Sequence, residues 1–498
     1  MADESEIKEI YENGMKILED LTNNADELQE QILEEILTRN AGTEYLSRFF
    51  PNGQADKQSF KTNVPIVTYE DIKPYIDRIA NGEISSILFA DPITPFIRSS
   101  GTSGGQPKLI PMTAESFEKR KYHLLLSDIV VKKCFSGLDE GKLLLLHFIK
   151  PEMGTPSGLV ASPYTTFFSK TNTFKNSLAK SSTSPIDTIL CLENKQSMYC
   201  QLLSGLLQLD KIIVIGSSFA SVLARSIKFL EDYWKEFCSN IRTGYLSDWI
   251  TDHGCRNAMS SILTGPNPEL ADLIQQICQD ISWEGIIKKL WPKIKYIHGI
   301  ITGSMSQYVS LLEFYGGGIP LVSRSYNSSE CSFGINLNPL SKPFDVSYTF
   351  LPHTAYFQFL PVNNDCGGKS REFELHGASA TESSGIKNET MAVNELELKM
   401  KGSNDLPKLD ARVMEQCCCI VEESFDFTYK SFRKDGAISA LELRVVKHGS
   451  FDELMDFYTS KGASISQYKP PCCLKSEEAI KILNSGMVGK FFSPKTVC

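Results

Sequence analysis

Residues Arg98 to Pro111 read RSSGTSGGQPKLIP. Seven consecutive residues, Ser99 to Gly105, are hydroxyl-bearing or Gly, and Lys108 follows three places later. Gly leaves backbone N–H groups uncovered, and small hydroxyls add donors beside them. Successive N–H vectors in such a loop converge on an anion. The apolar runs Ile93–Ile97 and Leu109–Pro111 flank it. The pattern points to phosphate binding, with a triphosphate or an acyl phosphate as the fitting ligand. It is not the G-x-x-x-x-G-K-[ST] loop, because Pro107 separates the glycines from Lys108. The plainer reading is a flexible surface loop, but a linker rarely sits between two apolar runs.

Two further stretches have the same chemistry. SYNSSECSFGINLNP, Ser325 to Pro339, follows an apolar run and offers Tyr326, Ser328, Ser329 and Glu330. An aromatic ring can stack on a purine, hydroxyls can hold a phosphate, and a carboxylate facing phosphates typically holds Mg2+. A Ser-rich turn with a capping Glu is the alternative. ITGSMSQY, Ile301 to Tyr308, again puts Thr-Gly-Ser after an apolar run.

Around these stretches, short apolar runs alternate with helical periodicity. Leu143–Phe148, Ile212–Ile215, Tyr296–Ile301, Leu321–Ser325 and Ala355–Leu360 read as strands. Gln196–Leu209, Ala220–Glu236 and Leu270–Ile281 read as helices. The alternation predicts an α/β body with a parallel sheet, whose ligands sit at the carboxyl ends of the strands. Apolar positions from 5 to 40 recur at helical spacing, and Asn23-Asn24 divides them into two amphipathic helices. Asn363 to Asn404 is rich in Ser, Asn, Glu, Lys and Gly and has weak periodicity. Beyond it, a helix over Leu409–Tyr429, a strand over Leu441–Lys447 and helices over Phe451–Lys461 and Ser476–Asn484 make a small α+β unit.

At 498 residues the chain exceeds what one core fills, so more than one domain is expected. A net charge of −9 argues against a nucleic-acid partner. No run approaches the ~20 apolar residues of a membrane span. The acidic start MADESEIKEI lacks a signal peptide's basic and apolar parts, so a cytoplasmic protein is expected. The 14 Cys include no C-x-x-C pair and read as reduced packing residues rather than a zinc site. The seven His are scattered and receive no role. No feature marks a protein partner.

The motifs together resemble a known family. SSGTSGG-x-x-K, TGSM-x-QY, Y-x-SSE-x-x-FG-x-NL-x-P and VSYTFLP-x-x-AYF are similar to the plant auxin-responsive acyl acid amido synthetases, the Gretchen Hagen three family. So are ILEDLTNNADELQ, TPSGLVASP, WITDHGCRNAMSSIL, PNPELAD, SWEGIIKKLWP, LELRVVKHGSFDELMDF and GASISQYKPPC, in the family's order. The likeness is greatest to the auxin-conjugating branch.

The resemblance implies an adenylate-forming, acyl-activating fold, with a large N-terminal α/β domain over 1–362 and a divergent joint over 363–404. Residues 405–498 would be the remnant of a small α+β C-terminal lid. It implies ATP-dependent conjugation of an acyl acid, auxin (indole-3-acetic acid) by this likeness, to an amino acid through an acyl adenylate. ATP and Mg2+ would be the cofactors. By the same likeness Ser99, Ser100, Thr102 and Ser103 hold the ATP phosphates. Tyr326 lies along the adenine, with Ser328 and Ser329 near the phosphate, and Thr302 and Ser304 line the nucleotide and acyl end. Glu330 holds Mg2+, and Lys469 meets the charge that grows during adenylate formation. Tyr164 and Thr165 stand where auxin-type members have Arg-Pro-Val-Leu-Thr, and Arg225 matches an Arg near the acyl and amino acid substrates. A polar wall at Tyr164 is expected to shrink or redirect the acyl pocket.

One family segment has no counterpart. Leu-Tyr-Arg-Tyr-Arg-Val-Gly-Asp, whose Asp binds the ribose hydroxyls beside the hinge, is missing between Asn363 and Lys399, so lid and hinge are incomplete. ELKMKGSNDLPKLD resumes the pattern. Three functions therefore compete: an active amide-forming ligase, a non-catalytic or weakly active relative that binds nucleotide or acyl acid, and an acyl-CoA ligase. The length of the match disfavours the last.

Overall fold

The computed structural model describes residues 4–50, 55–100, 107–359, 391–392, 410–423, 425, 427–435, 438–447, 449–461, 468, 473–474 and 476–493. The chain divides into two compact units, one of 1–357 with 463–469 and one of 358–462 with 470–498.

In the first unit, α1 (Glu4–Asn23) and α2 (Ala25–Asn40) meet at Asn24, as the Asn pair predicts. After α3 (Tyr69–Ala80), β1 (Ile93–Arg98) and β2 (Leu109–Thr113) form an antiparallel hairpin. It continues into β5 (Val160–Ser162), parallel to β1, and β4 (Met153–Gly154). α4 (Ala114–Cys134) starts at Thr113, whose hydroxyl accepts from the Ser116 N–H. α5 (Tyr164–Lys170) follows β5.

The expected parallel sheet runs β3 (Lys142–Leu146), β6 (Ile212–Phe219), β7 (Tyr296–Ile300) and β8 (Leu321–Val322), in that order. Leu144 pairs with Ile215, Ile215 with Ile297 and Ile297 with Leu321. Its strands are near-continuous apolar runs because helices cover them. α6 (Asn194–Leu206) is buried at every residue from Gln196 to Leu206, so its sequence lacks a polar stripe. α7 (Ala220–Thr243) leaves β6 directly, α8 spans His253–Ile262, and α9 is Pro268–Cys278. Tyr199 stacks on Phe237 with ring centroids 4.2 Å apart and donates its hydroxyl to Asn240 Oδ1 at 2.8 Å. Cys191, Cys200, Cys238, Cys255 and Cys278 are buried free thiols in this core.

Two expected strands differ. Leu321–Ser325 breaks after Val322, and β9 (Ser325–Asn327) turns away to pair antiparallel with β10 (Ser332–Ile335), beside β11 (Thr349–Phe350). The break follows from Arg324, whose guanidinium pairs with Asp128 and donates Nε–H to Ser127 Oγ at 3.3 Å. Residues 355–359 of the expected strand Ala355–Leu360 are not a strand. Gln29 of α2 takes their ladder bonds: Nε2 donates to the Pro352 and Ala355 carbonyls at 2.6 and 2.8 Å, and Oε1 accepts from Phe357 N–H at 2.7 Å. Leu360 lies outside the described residues.

In the second unit the single helix expected over Leu409–Tyr429 is two, α10 (Ala411–Glu423) and α11 (Phe427–Lys434). α10 buries Met414, Cys418 and Glu422 on one face. β12 (Glu442–Val446) pairs antiparallel with β13 (Met487–Phe492), a strand the sequence reading lacked. α12 (Ser450–Ser460) and α13 (Glu477–Ser485) lie where expected. Glu422, 2% exposed, accepts from Arg433 Nε at 2.8 Å and from the Tyr429 hydroxyl at 3.0 Å. Burial alone would raise its carboxyl. Hydrogen bonds, those of Arg433 and Tyr429 among them, outweigh that and hold it below its ordinary value of 4.5.

Two outcomes follow for stability. Gly216 lies in β6 against β7, and a Cβ there would stand under 3.0 Å from the His298 backbone. Gly216→Ala should destabilise the chain by about 1–3 kcal/mol in denaturant titration; an unchanged midpoint would contradict the close approach of these strands. A carboxyl held low in the folded state adds stability above its unfolded value and loses it as pH falls through the folded value. Below about pH 4.5 the wild type should therefore lose stability more steeply than Glu422→Gln, read as melting temperature against pH. Parallel curves would exclude Glu422 as a source of acid sensitivity.

Candidate functional site

Parallel strands β7 and β8 deliver Thr302 and Ser323 to the same edge of the sheet. The Tyr348 hydroxyl sits between them, 3.1 Å from Thr302 Oγ1 and 2.7 Å from Ser323 Oγ. The Tyr348 ring stacks on Tyr326 with centroids 5.7 Å apart and planes at 26°. Tyr326, on β9, is 47% exposed, which leaves ring surface for a planar ligand. Ser304 lies in the short 3-10 helix Gly303–Tyr308, where its carbonyl accepts from Gln307 Nε2 at 2.8 Å. Gly303 opens that turn at φ 60°, a conformation that favours Gly.

The turn from β9 to β10 holds Ser328, Ser329 and Glu330. Ser328 Oγ accepts from the N–H groups of Glu330 and Cys331 at 3.1 and 3.3 Å, and donates to Glu330 Oε2 at 2.6 Å. Ser328 thus shapes the turn and orients Glu330, as the plainer reading of a Ser-rich turn expects. Glu330 itself is exposed.

α4 braces this hairpin along its length. Arg120 donates to the Ser328 and Ser329 carbonyls at 3.2 and 2.8 Å. Two turns on, Ser127 Oγ accepts from Ser325 Oγ at 3.2 Å and Asp128 pairs with Arg324. His123, between them, is 2% exposed, and burial pushes it down to about 4. His353 is likewise lowered to about 4, so both rings are neutral at neutral pH. A cleft of about 230 Å3 opens beside the turn, with Arg120, Glu330, Cys331 and Ser332 among its walls.

In the β1–β2 hairpin, Ser99 N–H donates to the Lys108 carbonyl and Ser99 Oγ accepts from Lys108 N–H, both at 2.9 Å. These bonds close the loop at its base. Lys108 Nζ lies 4.9 Å from the centre of the Tyr69 ring, and the Tyr69 hydroxyl accepts from Leu109 N–H at 3.0 Å. Ser100 is half-buried beside Ser99. Thr102 and Ser103 lie outside the described residues.

Tyr164 opens α5, stacked on Phe168 at 5.9 Å with the Arg120 guanidinium 4.9 Å from its ring centre. Burial pushes its hydroxyl up to about 12. The Thr165 carbonyl accepts from Ser169 Oγ at 2.8 Å inside the same helix. Arg225 is half-buried on α7. Lys469 lies outside the described residues. Its neighbour Tyr468 is 5% exposed, and its carbonyl accepts from Ser221 Oγ at 3.3 Å in the first turn of α7.

The structure thus brings together Thr302, Tyr326, Ser328, Ser329 and Glu330, linked through Tyr348 and Arg120. Sequence reasoning assigned neither linker. Arg120 had a signal, because Arg120, His123 and Ser127 recur at i, i+3 and i+7 within an otherwise apolar helix face. Tyr348 had only its place between two motifs. Cys191, Asp252 and Cys255 also come together, with ligand atoms within 4.8 Å of one another, though 64 residues part the two thiols' positions in the chain. Asp252 Oδ1 accepts from Cys255 N–H at 2.8 Å as the cap of α8. The hydrogen bond to Cys255 and burial push the Cys191 thiol up, away from a metal-binding thiolate. Among the described residues no helix is long and apolar enough to cross a membrane.

Comparison with known proteins gives the family. The GH3 family N-terminal domain matches residues 14–321 and the GH3 family C-terminal domain residues 378–478. The indole-3-acetic acid-amido synthetase GH3.17 of Arabidopsis thaliana is 43% identical, over 97% of each chain. The 4-substituted benzoates-glutamate ligase GH3.12 of the same plant is 41% identical, over 98% of this chain and 99% of its own. The solved AtGH3.15 acyl acid amido synthetase in complex with 2,4-DB superposes with a TM-score of 0.82 at 40% identity, over 97% of each chain. The alignment to GH3.17 runs over 590 positions against 498 residues here, so at least 92 positions (590 minus 498) face a gap in this chain. With both family domains matched in order and more than 40% identity along nearly its whole length, the chain belongs to the GH3 family of acyl acid amido synthetases.

Proposed function

We propose that this chain joins an acyl acid to the amine of an amino acid through an acyl adenylate, using ATP and Mg2+. The observation that carries the reading is the gathering of Thr302, Tyr348, Tyr326 and the Glu330 turn at the carboxyl ends of β7 and β8. Indole-3-acetic acid is the first acid to try, since GH3.17 is named for it.

In this reading the loop carrying Ser99, Ser100, Thr102 and Ser103 grips the triphosphate, and Tyr326 lies against the adenine. Thr302 and Ser304 border the α-phosphate and the acyl carboxylate. The carboxylate oxygen attacks the α-phosphorus and pyrophosphate leaves. The amine then attacks the acyl carbon, AMP departs and the amine loses a proton. Lys469 stabilises the charge that builds on the phosphate during the first step. Tyr164, Thr165 and Arg225 form the wall that selects the acid and amino acid.

An exposed carboxylate among hydroxyls suits a hard, oxygen-seeking cation, so Glu330 fits a Mg2+ ligand. Bound there, Mg2+ would neutralise phosphate oxygens. The reading further divides the chain into a large domain over 1–362, a joint over 363–404 and a lid remnant over 405–498. It makes the protein cytoplasmic, with small molecules as its partners.

The gap of at least 92 positions favours a second reading: a relative that binds nucleotide or acyl acid and turns over weakly or not at all. One assay separates them. The purified chain is incubated with ATP, Mg2+, indole-3-acetic acid and glutamate, and the amide and AMP are measured. Both products support the ligase; nucleotide binding without them supports the binder. In an active preparation Glu330→Ala should cut amide formation by roughly 100-fold or more. An unchanged rate would remove Glu330 from the metal site.

A further inference from the structure

Arg120 is 8% exposed, and among the described residues no carboxylate pairs with it. A buried cation without an ion partner is costly unless its donors are used elsewhere. Here they are used on two consecutive carbonyls, Ser328 and Ser329, at 3.2 and 2.8 Å. The guanidinium is planar and its donors form a fixed fork, so it sets the orientation of both peptide groups at once. Each trans peptide carries its carbonyl and its N–H on opposite sides. With both carbonyls turned to Arg120, the Ser329 and Glu330 N–H groups are turned away from it. The Glu330 N–H meets Ser328 Oγ, the atom that also donates to the Glu330 carboxylate. The opposite end of this brace is aromatic, with the guanidinium 4.9 Å from the centre of the Tyr164 ring. One side chain therefore touches both the turn that carries Glu330 and the residue expected to wall the acyl pocket.

We propose that Arg120 is a positioning residue that fixes the Ser328–Glu330 turn for metal-bound nucleotide and ties that turn to the acyl wall at Tyr164. This rests on the nucleotide and acyl assignments proposed above. Arg120 acts through Glu330 rather than on the substrate, so the two residues share one effect on nucleotide binding.

The test uses the full chain and a non-reacting probe, α,β-methylene-ATP with Mg2+, titrated calorimetrically. Arg120→Ala should weaken binding by about tenfold to a hundredfold, the scale of hydrogen bonds from a charged donor. Arg120→Lys should recover part of this, because an ammonium reaches one carbonyl but lacks the fork. In a Glu330→Ala background, Arg120→Ala should add less than about twofold. A merely structural Arg would instead give multiplied losses, and that result overturns the proposal, as does wild-type affinity in Arg120→Ala. Circular dichroism melts establish that each variant is folded. If Arg120→Ala does not fold, Arg120→Lys alone and with Glu330→Ala completes the same cycle with the same criteria. A wild-type chain that takes up no probe sinks the nucleotide reading and this inference with it. A wild type that binds while the double variant shows independent losses sinks this inference alone.

Discussion

Parallel pairing of β6, β7 and β8 is the constraint from which the rest of the first unit follows. Three parallel neighbours must each leave the sheet at the same edge, and each must return by a covered crossover. That need explains why α6 is apolar on all sides and why Gly216 faces the His298 backbone. It also explains why Thr302, Ser323 and the first turn of α7 gather at one edge. Polar backbone groups freed at strand ends need partners, and a ligand can serve as one of them.

The hydroxyl of Tyr348 and the fork of Arg120 turn this gathering into a fixed geometry. Tyr348 spans the ends of two strands and lends its ring to Tyr326. α4 grips the β9–β10 hairpin through Arg120 at its tip and through Ser127 and Asp128 at its base. The hairpin therefore presents Glu330 from a clamped turn. A site that must hold a charged ligand gains when its groups are already oriented, because less ordering is left to binding.

Much of the fold was legible because apolar periodicity is local. The two N-terminal helices and the parallel strands carry their signal in short stretches of neighbouring residues. What was not legible depends on partners far along the chain. The run at 355–359 has a strand's composition, yet Gln29 satisfies its backbone from more than 320 residues away. The strand read over Leu321–Ser325 broke because Arg324 has a partner, Asp128, on another element. β13 escaped notice because a strand in a two-stranded ribbon needs no strong apolar pattern. Arg120 and Tyr348 act through contacts made more than 20 residues apart, where spacing carries no information.

The sheet, the β1–β2 hairpin, α4 and the β9–β10 turn all lie before residue 358, in the first unit, and all but the β9–β10 turn and the end of β8 lie in the stretch that matches the GH3 N-terminal domain. Their geometry is set by contacts among themselves. Were the missing positions to include the ribose-binding Asp and the hinge, as the family likeness implies, two quantities would suffer. Loss of one charge-assisted hydrogen-bond pair would weaken nucleotide binding by about 1.5–3 kcal/mol or somewhat more, which lowers affinity without erasing it. Loss of controlled closure acts instead on the chemical step, since closure excludes water and completes the catalytic set. The two deficits would therefore fall on different quantities, nucleotide affinity in the one case and turnover in the other. On this argument, a chain that keeps the clamp but lacks the hinge should bind nucleotide better than it turns it over.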